Sequence, residues 1–487
     1  MRIWFVSFLF VFTIASNAGA QQAASEPVRI GGVTVSGWLR TRGEAWDWFA
    51  GSHTSPYGYS ESLFRLSFSQ DRESFDWKIE AAIPLLLGLP SHAVVPGAQG
   101  QLGYGASYYA ANSGSNNTAS IFAKQAYLRL KFNKGEIRQS LLVGRTEFFD
   151  GAEVTPKNPT LAALERDRIA QRLIGNFGFA DVGRSFDGVV YTADGSRTNL
   201  TLFAARATRG VFQVDGWGEV NSNLFYGALT RQIKRGRNGA KWRVFGLSYN
   251  DYRGGVLKTD NRPQAVRAAD HQGINIATVG GDYIDAVETS AGTVDFLFWG
   301  ALQGGSWGSL AQRSSAFAAE VGWQAPRLRK LRPWLRGGYD YASGDGNPND
   351  RVHGTFFQVL PTARQYARFP FFNMMNNRDA FGELILRPSK ALAIRADIHG
   401  LSLASKNDLW YSGGGIFQPW SFGYTGRPAN GHSGLATLYD VSADYTLNRH
   451  FAFSTYYARA LGKLIVQDIY PNGKNANFGY VELDYRF

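Results

Sequence analysis

The chain has no cysteine and only 3 methionines among 487 residues, so it has no disulfide framework and no thiolate metal site. After the first twenty residues no apolar run approaches the roughly 20 residues that a bilayer-crossing helix needs. The mean hydropathy of -0.24 is that of a polar protein. A helical membrane protein is therefore excluded. The one continuous apolar stretch is at the start: Met1-Arg2 is a short positive opening, Ile3 to Ile14 is almost wholly apolar, and Ala18-Gly19-Ala20 is a small-residue cleavage site. This is the pattern of a secretory signal over residues 1–20, with the mature chain beginning near Gln21. Two classes remain for such a chain: a soluble exported protein, or a membrane barrel whose lipid-facing residues are diluted one in two by lumen residues.

What is abundant favours the barrel. Gly 56, Phe 34, Tyr 23 and Trp 13 are turn, strand and interface-girdle residues. At the end of the chain Val481, Leu483, Tyr485 and Phe487 alternate with Tyr480, Glu482, Asp484 and Arg486, apolar on one face and charged on the other. About 18 such segments recur, each near the ~10 residues of a tilted spanning strand. The clearest fall near 33–45, 62–70, 74–83, 121–132, 138–147, 293–301, 311–322, 332–342, 380–387, 391–401, 435–445, 450–459 and 477–487. Weaker ones fall near 184–192, 198–206, 222–232, 241–250 and 273–282. Long connections (46–61, 84–120, 148–183, 207–221, 251–272, 343–379, 402–434, 461–476) alternate with short ones such as Asn133-Lys134-Gly135-Glu136 and Leu447-Asn448-Arg449. Barrels of the outer membrane have short periplasmic turns and long outer loops, which places both termini in the periplasm and makes residues 21–487 one all-β, antiparallel transmembrane barrel domain. On that count the last strand closes the barrel against the first, setting Glu482, Asp484 and Arg486 beside Arg40 and Arg42. Helix is minor; Thr160 to Ile174, after Pro159, is expected to be a helix on the barrel rim.

Parity sorts each strand into a lipid face and a water face. Arg40 and Arg42, then Arg65, Arg129, Arg336 and Arg395, fall on water faces, as do Asp295, Glu320, Asp340, Glu383, Asp397, His399, Asp440, Asp444, Glu482 and Asp484. Inward charges of both signs can simply cross-pair between strands and bind lumen water. Alternatively, arginines left over form a positive constriction that favours anions. Once Arg2 leaves with the signal, 50 basic residues face 39 acidic ones, a balance of +11 with His neutral. Such a protein meets anions: lipopolysaccharide, small anionic solutes or an acidic polymer. Nucleic acid is not expected, because the basic residues are scattered through strands.

Three motifs sharpen this. They are Gly144-Arg145, Arg172-Leu173-Ile174-Gly175 and Gly183-Arg184-Ser185-Phe186-Asp187-Gly188-Val189, followed by Tyr339-Asp340-Tyr341, Ser343-Gly344-Asp345, Thr355-Phe356, Leu360-Pro361, Tyr366 and Asn377. Together they resemble the alginate-export family of outer-membrane porins, over about residues 35–487. The resemblance implies an 18-stranded monomeric barrel whose electropositive, arginine-lined constriction passes a polymer of mannuronate and guluronate, with periplasmic secretion partners. The motif carries Arg145, Arg172, Arg184 and Asp187 into the expected conducting lumen, and parity adds Arg40, Arg65, Arg129 and Arg336. The chain departs from the family's spacing by an insertion between Asp150 and Arg172, containing Arg166 and Arg168, of a kind that narrows a pore.

Other chemistries find weaker support. Gly304-Gly305-Ser306-Trp307-Gly308 matches the pattern of a nucleophile elbow, but that device needs a helix after the turn, and 311–322 alternates as a strand. Lumen carboxylate pairs such as Asp440 and Asp444 suit a glycosidase only by analogy. Asp345 to Asp350 places oxygen groups at alternating positions, without the acidic residue that completes a calcium loop. The reading is a channel with no catalytic residue, metal or cofactor, with a general or nutrient-uptake porin for small anionic solutes as the alternative and an outer-membrane hydrolase as the lesser alternative of another class.

Overall fold

The computed structural model describes residues 28–50, 56–235, 238–326, 328 and 330–487. The signal segment expected at 1–20 lies outside them. Eighteen antiparallel strands form a closed barrel: β1 (Val33–Asp47), β2 (Tyr57–Asp71), β3 (Phe75–Leu87), β4 (Phe122–Lys134), β5 (Ile137–Thr146), β6 (Phe186–Asp194), β7 (Thr198–Thr208), β8 (Glu219–Arg235), β9 (Asn238–Asp251), β10 (Ile274–Thr289), β11 (Gly292–Trp307), β12 (Leu310–Gln324), β13 (Trp334–Ala342), β14 (Asn377–Leu386), β15 (Leu392–Ser402), β16 (Gly434–Thr446), β17 (Phe451–Gly462) and β18 (Asn475–Arg486). Every strand pairs with its sequence neighbour, and β18 returns to β1 with Arg40 opposite Asp484 and Arg42 opposite Glu482. Among the described residues each of the eighteen barrel strands therefore has a partner on both sides.

Phe487 completes the seam. Its N–H donates to the Gly37 carbonyl and its carbonyl accepts from Gly37 N–H, both at 3.0 Å. The Phe487 ring lies so close over Gly37 that a Cβ there would sit 2.1 Å from it. Only a residue without a side chain admits that approach.

The alternation follows from the two solvents. Ile79, Val143, Phe225, Val279, Leu302 and Val481 are exposed on the outward parity, where lipid meets them at no hydration cost. The inward parity is buried and mostly polar or aromatic. The strands that were faint in the sequence are longer than expected: β10 runs seven residues past 282, because Gly280-Gly281 interrupts its alternation. Both barrel ends and the short turns share one rim; the long connections share the other. One connection on the loop rim is tight, Gly308-Ser309, where Gly308 takes the φ of +58° that a two-residue hairpin requires. Ser306 consequently lies in β11 opposite Asn275 and Ala311, in extended strand and not at an elbow.

Candidate functional site in the barrel lumen

An 18-stranded barrel is wide enough for an aqueous channel, yet here much of its inward wall is covered. Arg40, Arg42, Glu61, Arg243, Glu320 and Arg336 are all buried. They are covered by connections folded inward from the loop rim. The β5–β6 loop, residues 147–185, does most of this. It contains a short helix, Pro159–Leu164, capped by the Asn158 side chain on Thr160 N–H and Leu161 N–H, and then a wider turn, Glu165–Ile169. This helix, expected on the rim, packs inside the barrel at the far end. Leu161 touches Gly239 at the start of β9, and Thr160 Oγ1 accepts from Gln324 Nε2 at the end of β12 (2.9 Å). The segment is rooted at one rim and reaches the other.

Ion pairs hold it on both sides. On the β1–β4 side, Arg40 Nη2 donates to Asp181 Oδ1 (2.6 Å), and its Nη1 to the Gly178 carbonyl (2.8 Å). Arg42 donates to the Phe179 carbonyl (3.1 Å) and to wall carboxylates Glu61 and Glu482. Arg65 binds Glu147 at the loop's root (2.7 Å) and Glu80 of β3. Burial opposes ionisation of Glu147, but Lys124 and Arg65 outweigh it and hold the carboxyl at about 2. On the β8–β14 side, Arg172 Nη1 donates to Asp340 Oδ1 (2.8 Å), and Arg168 Nε to Glu320 Oε1 (2.9 Å). Arg336 on the wall shares Glu320 (2.8 Å) and Asp295. Arg243 of β9 lies 3.3 Å from Glu153 and 3.7 Å from Asp150. Asp150 also accepts from Leu173 N–H and Ile174 N–H (3.0 and 2.7 Å), folding the loop back on itself. Burial raises its carboxyl to about 6 despite Arg243.

Other connections seal the loop side. Arg184 is fully buried and has no carboxylate partner among the described residues: its guanidinium donates to the carbonyls of Gly175 (3.1 Å), Leu360 (2.9 Å) and Gly414 (2.5 Å). It thereby knots the β5–β6, β13–β14 and β15–β16 loops together, and burial lowers its basicity to about 10. Trp46 stacks on Phe478 (3.9 Å) and Trp48 on Phe369 (5.5 Å), joining the wall to the β13–β14 loop. Within that loop His353 stacks on Trp307 (4.2 Å) and its Nδ1 meets Gln312 Oε1 (2.7 Å); burial lowers it to about 3. A cavity of about 260 Å³ remains among these loops, lined by Tyr104, Phe212, Arg364, Trp410 and Arg427 among others.

The sequence of the chain matches the family model described as alginate export over residues 60–459. The chain belongs to the alginate-export family. Among solved structures this family member is similar to the outer membrane protein OpdK of Pseudomonas aeruginosa (8% identity, 93% of this chain and 98% of that one, TM-score 0.53). It is also similar to OccK9 (OpdG) of the same organism (11%, 93% and 98%, 0.57) and to OccAB2 of Acinetobacter baumannii (10%, 93% and 98%, 0.56). At such identities the likeness is one of fold. No curated protein sequence matches the chain. Family and fold together make this protein an outer-membrane channel, and the family and these neighbours are channel and porin proteins.

In this member of the alginate-export family the structure separates the arginines singled out above. Arg40, Arg65, Arg129 and Arg336, chosen by parity, face the lumen. Arg129 is the most open of them, 3.7 Å from Asp76 near the short-turn rim. Arg172 and Arg184, carried by the motif, belong to the inserted loop. Arg145 and Asp187 correct the expectation: they share the outward parity of Val143 and Val189, and pair with each other through two 2.7 Å bonds beside Trp217, near the loop rim. The ladder dictates this, since Arg145 lies directly opposite Asp187 and two residues from exposed Val143. Sequence reasoning also passed over Arg243, although parity opposite Trp242 and Val244 marks it, and over Glu147 and Asp181, for which no periodic signal exists. The oxygen-rich stretch at Asp345 turns its side chains onto its own backbone: Asp345 Oδ1 accepts from Asn347 N–H and Asn347 Oδ1 from Asn349 N–H (both 3.1 Å).

Proposed function

We propose that this channel exports an acidic polysaccharide such as alginate, with both termini in the periplasm, and that the β5–β6 loop is its gate. The observation that carries the reading is the occupancy of the wall arginines. Arg40 holds Asp181 and Arg65 holds Glu147, carboxylates that arrive on the loop. A polyuronate offers the same group at every sugar, and guanidinium forks exchange one carboxylate for another when several stand close together. Displacement of the loop's carboxylates by those of the polymer then couples entry of substrate to opening. Arg129 and Lys131 at the short-turn rim supply the field at the entrance.

A second reading, a pore for small anionic solutes, rests on the 260 Å³ cavity. It suits a single small acid between aromatic rings, with Arg427 4.8 Å over Trp410.

Planar-bilayer recordings of the full chain in a salt gradient separate these readings. Anion selectivity together with block by polyuronate supports polymer export. Anion selectivity with no polymer effect leaves the small-solute pore, and cation selectivity refutes both.

A further inference from the structure

On the wall formed by β14, β15 and β16, acidic side chains gather around one histidine. The ladder aligns Glu383, Asp397 and Asp440 in a row across the three strands. His399 stands at the next inward position of β15. One donor atom from each of Asp397, His399 and Asp440 lies within 4.8 Å of the others.

Their hydrogen bonding is incomplete in a directed way. His399 is 2% exposed; its Nδ1 lies 2.8 Å from Asp379 Oδ2, and its Nε2 is buried with no partner. Asp397 Oδ1 is likewise buried and unpartnered. Asp440 accepts from the Tyr456 hydroxyl at Oδ2 (3.0 Å). The basic groups that line the same small cavity are engaged elsewhere: Arg168 with Glu320, Arg395 with Glu383 (3.1 Å) and Arg368 with the Tyr480 hydroxyl (2.7 Å). Among the described residues, neither Asp397 nor Asp440 has a Lys or Arg nitrogen within ion-pair distance. Half-buried Asp397, buried Asp440 and an orphaned ring nitrogen thus converge on one point with no Lys or Arg to pair them among the described residues, an arrangement that is costly as it stands.

We propose that Asp397, His399 and Asp440 bind one divalent first-row metal ion, with zinc the best match. An imidazole nitrogen with two carboxylates selects such an ion over calcium or magnesium, which favour all-oxygen shells. The Asp379 carboxylate on Nδ1 fixes the tautomer that turns the lone pair of Nε2 toward the metal, as carboxylates hydrogen-bonded to the ligating histidine do in zinc sites. Bond lengths of about 2.0–2.2 Å in a tetrahedral site require donor separations of roughly 3.3–3.6 Å, so the three side chains would have to close in from their present separation on binding. Asp397 and His399 come from β15 and Asp440 from β16, so the ion cross-links adjacent strands on the lumen wall, whatever solute the channel carries.

The test uses the full chain, refolded in detergent, stripped with chelator and titrated with Co²⁺ alone, then competed with Zn²⁺. Expected are one Co²⁺ per chain with visible d–d absorption and displacement by Zn²⁺. Ca²⁺ at equal concentration should leave the signal unchanged. His399→Ala, Asp397→Asn and Asp440→Asn should each abolish the signal, while Asp379→Asn should weaken binding by about 10- to 100-fold at unchanged stoichiometry. Protection of His399 in the unsubstituted chain from diethyl pyrocarbonate by Zn²⁺ reads the same site without any variant. Absence of saturable one-to-one binding, full displacement by Ca²⁺, or undiminished binding in Asp397→Asn overturns the proposal.

Discussion

Replacing Arg172 by alanine is the sharpest perturbation of the gate. The side chain is 0% exposed, binds Asp340 at 2.8 Å, stands 3.5 Å from Glu320, and lies over the rings of Tyr366 (4.5 Å) and Trp299 (5.3 Å). It belongs to the loop, so its loss leaves the barrel ladder intact. Removing one member of a buried ion pair costs about 3–5 kcal/mol, because the carboxylate left behind is uncompensated. Arg168, 3.6 Å from Asp340, offsets part of this, which favours the lower end, about 3 kcal/mol. Spent on docking of the loop, that energy shifts the balance of docked and undocked states roughly 100-fold, at about 1.4 kcal/mol per factor of ten. Single-channel recordings should then show a much higher open fraction for Arg172→Ala, and Arg172→Lys should fall between, since ammonium replaces charge but not the fork. Asp340→Asn should open the channel too, with coupling between the two sites in a double-mutant cycle. If Arg172→Ala keeps the closed behaviour of the unsubstituted protein while protease still finds the loop protected, these ion pairs do not hold the gate.

Three further outcomes follow from the geometry. Anchoring of the β13–β14 loop by His353 is fully present above pH 6.5 and is lost as pH falls toward about 3, by up to about 1.4 kcal/mol per pH unit, since the unfolded imidazole takes a proton that the buried one refuses; His353→Gln should flatten the acid-dependent rise in amide exchange of residues 350–360. Asp150 works in the opposite sense: its raised value near 6 means that protonation below pH 6 favours the docked loop, so Asp150→Asn should remove an acid-strengthened component of loop protection. Gly37→Ala forces a Cβ into the Phe487 ring and should reduce the heat-modifiable folded band on gels, with recovery in the double variant with Phe487→Ala; no recovery would show that the seam fails for another reason.

The barrel was readable from the chain because each strand faces two different solvents, and that contrast writes itself into alternate residues. All 18 strands, their order and their closure through Arg40, Arg42, Glu482 and Asp484 come from it. The four arginines placed by parity face inward for the same reason. Arg145 and Asp187 were placed by a motif, which carries no information about which side of the wall a residue occupies; the period through Val143 and Val189 does. What lies inside the lumen has no period at all. Asp181 and Glu147 find Arg40 and Arg65 through chain reversals set by loops, and Arg184 finds three carbonyls from three separate connections. Such contacts are non-local, and nothing nearby in the sequence announces them.

The reach of the inserted loop gives the gate a stroke. Its tip, at Thr160 and Leu161, rests against Gln324 and Gly239 at the rim opposite its root. To clear the passage outward it must travel about the height of the membrane band, some 25 Å, past every carboxylate and guanidinium on the way. Opening is then a withdrawal made in steps from one ionic rung to the next, and the end that must be dislodged first is the one at the short-turn rim, which on the proposed export reading meets the arriving polymer.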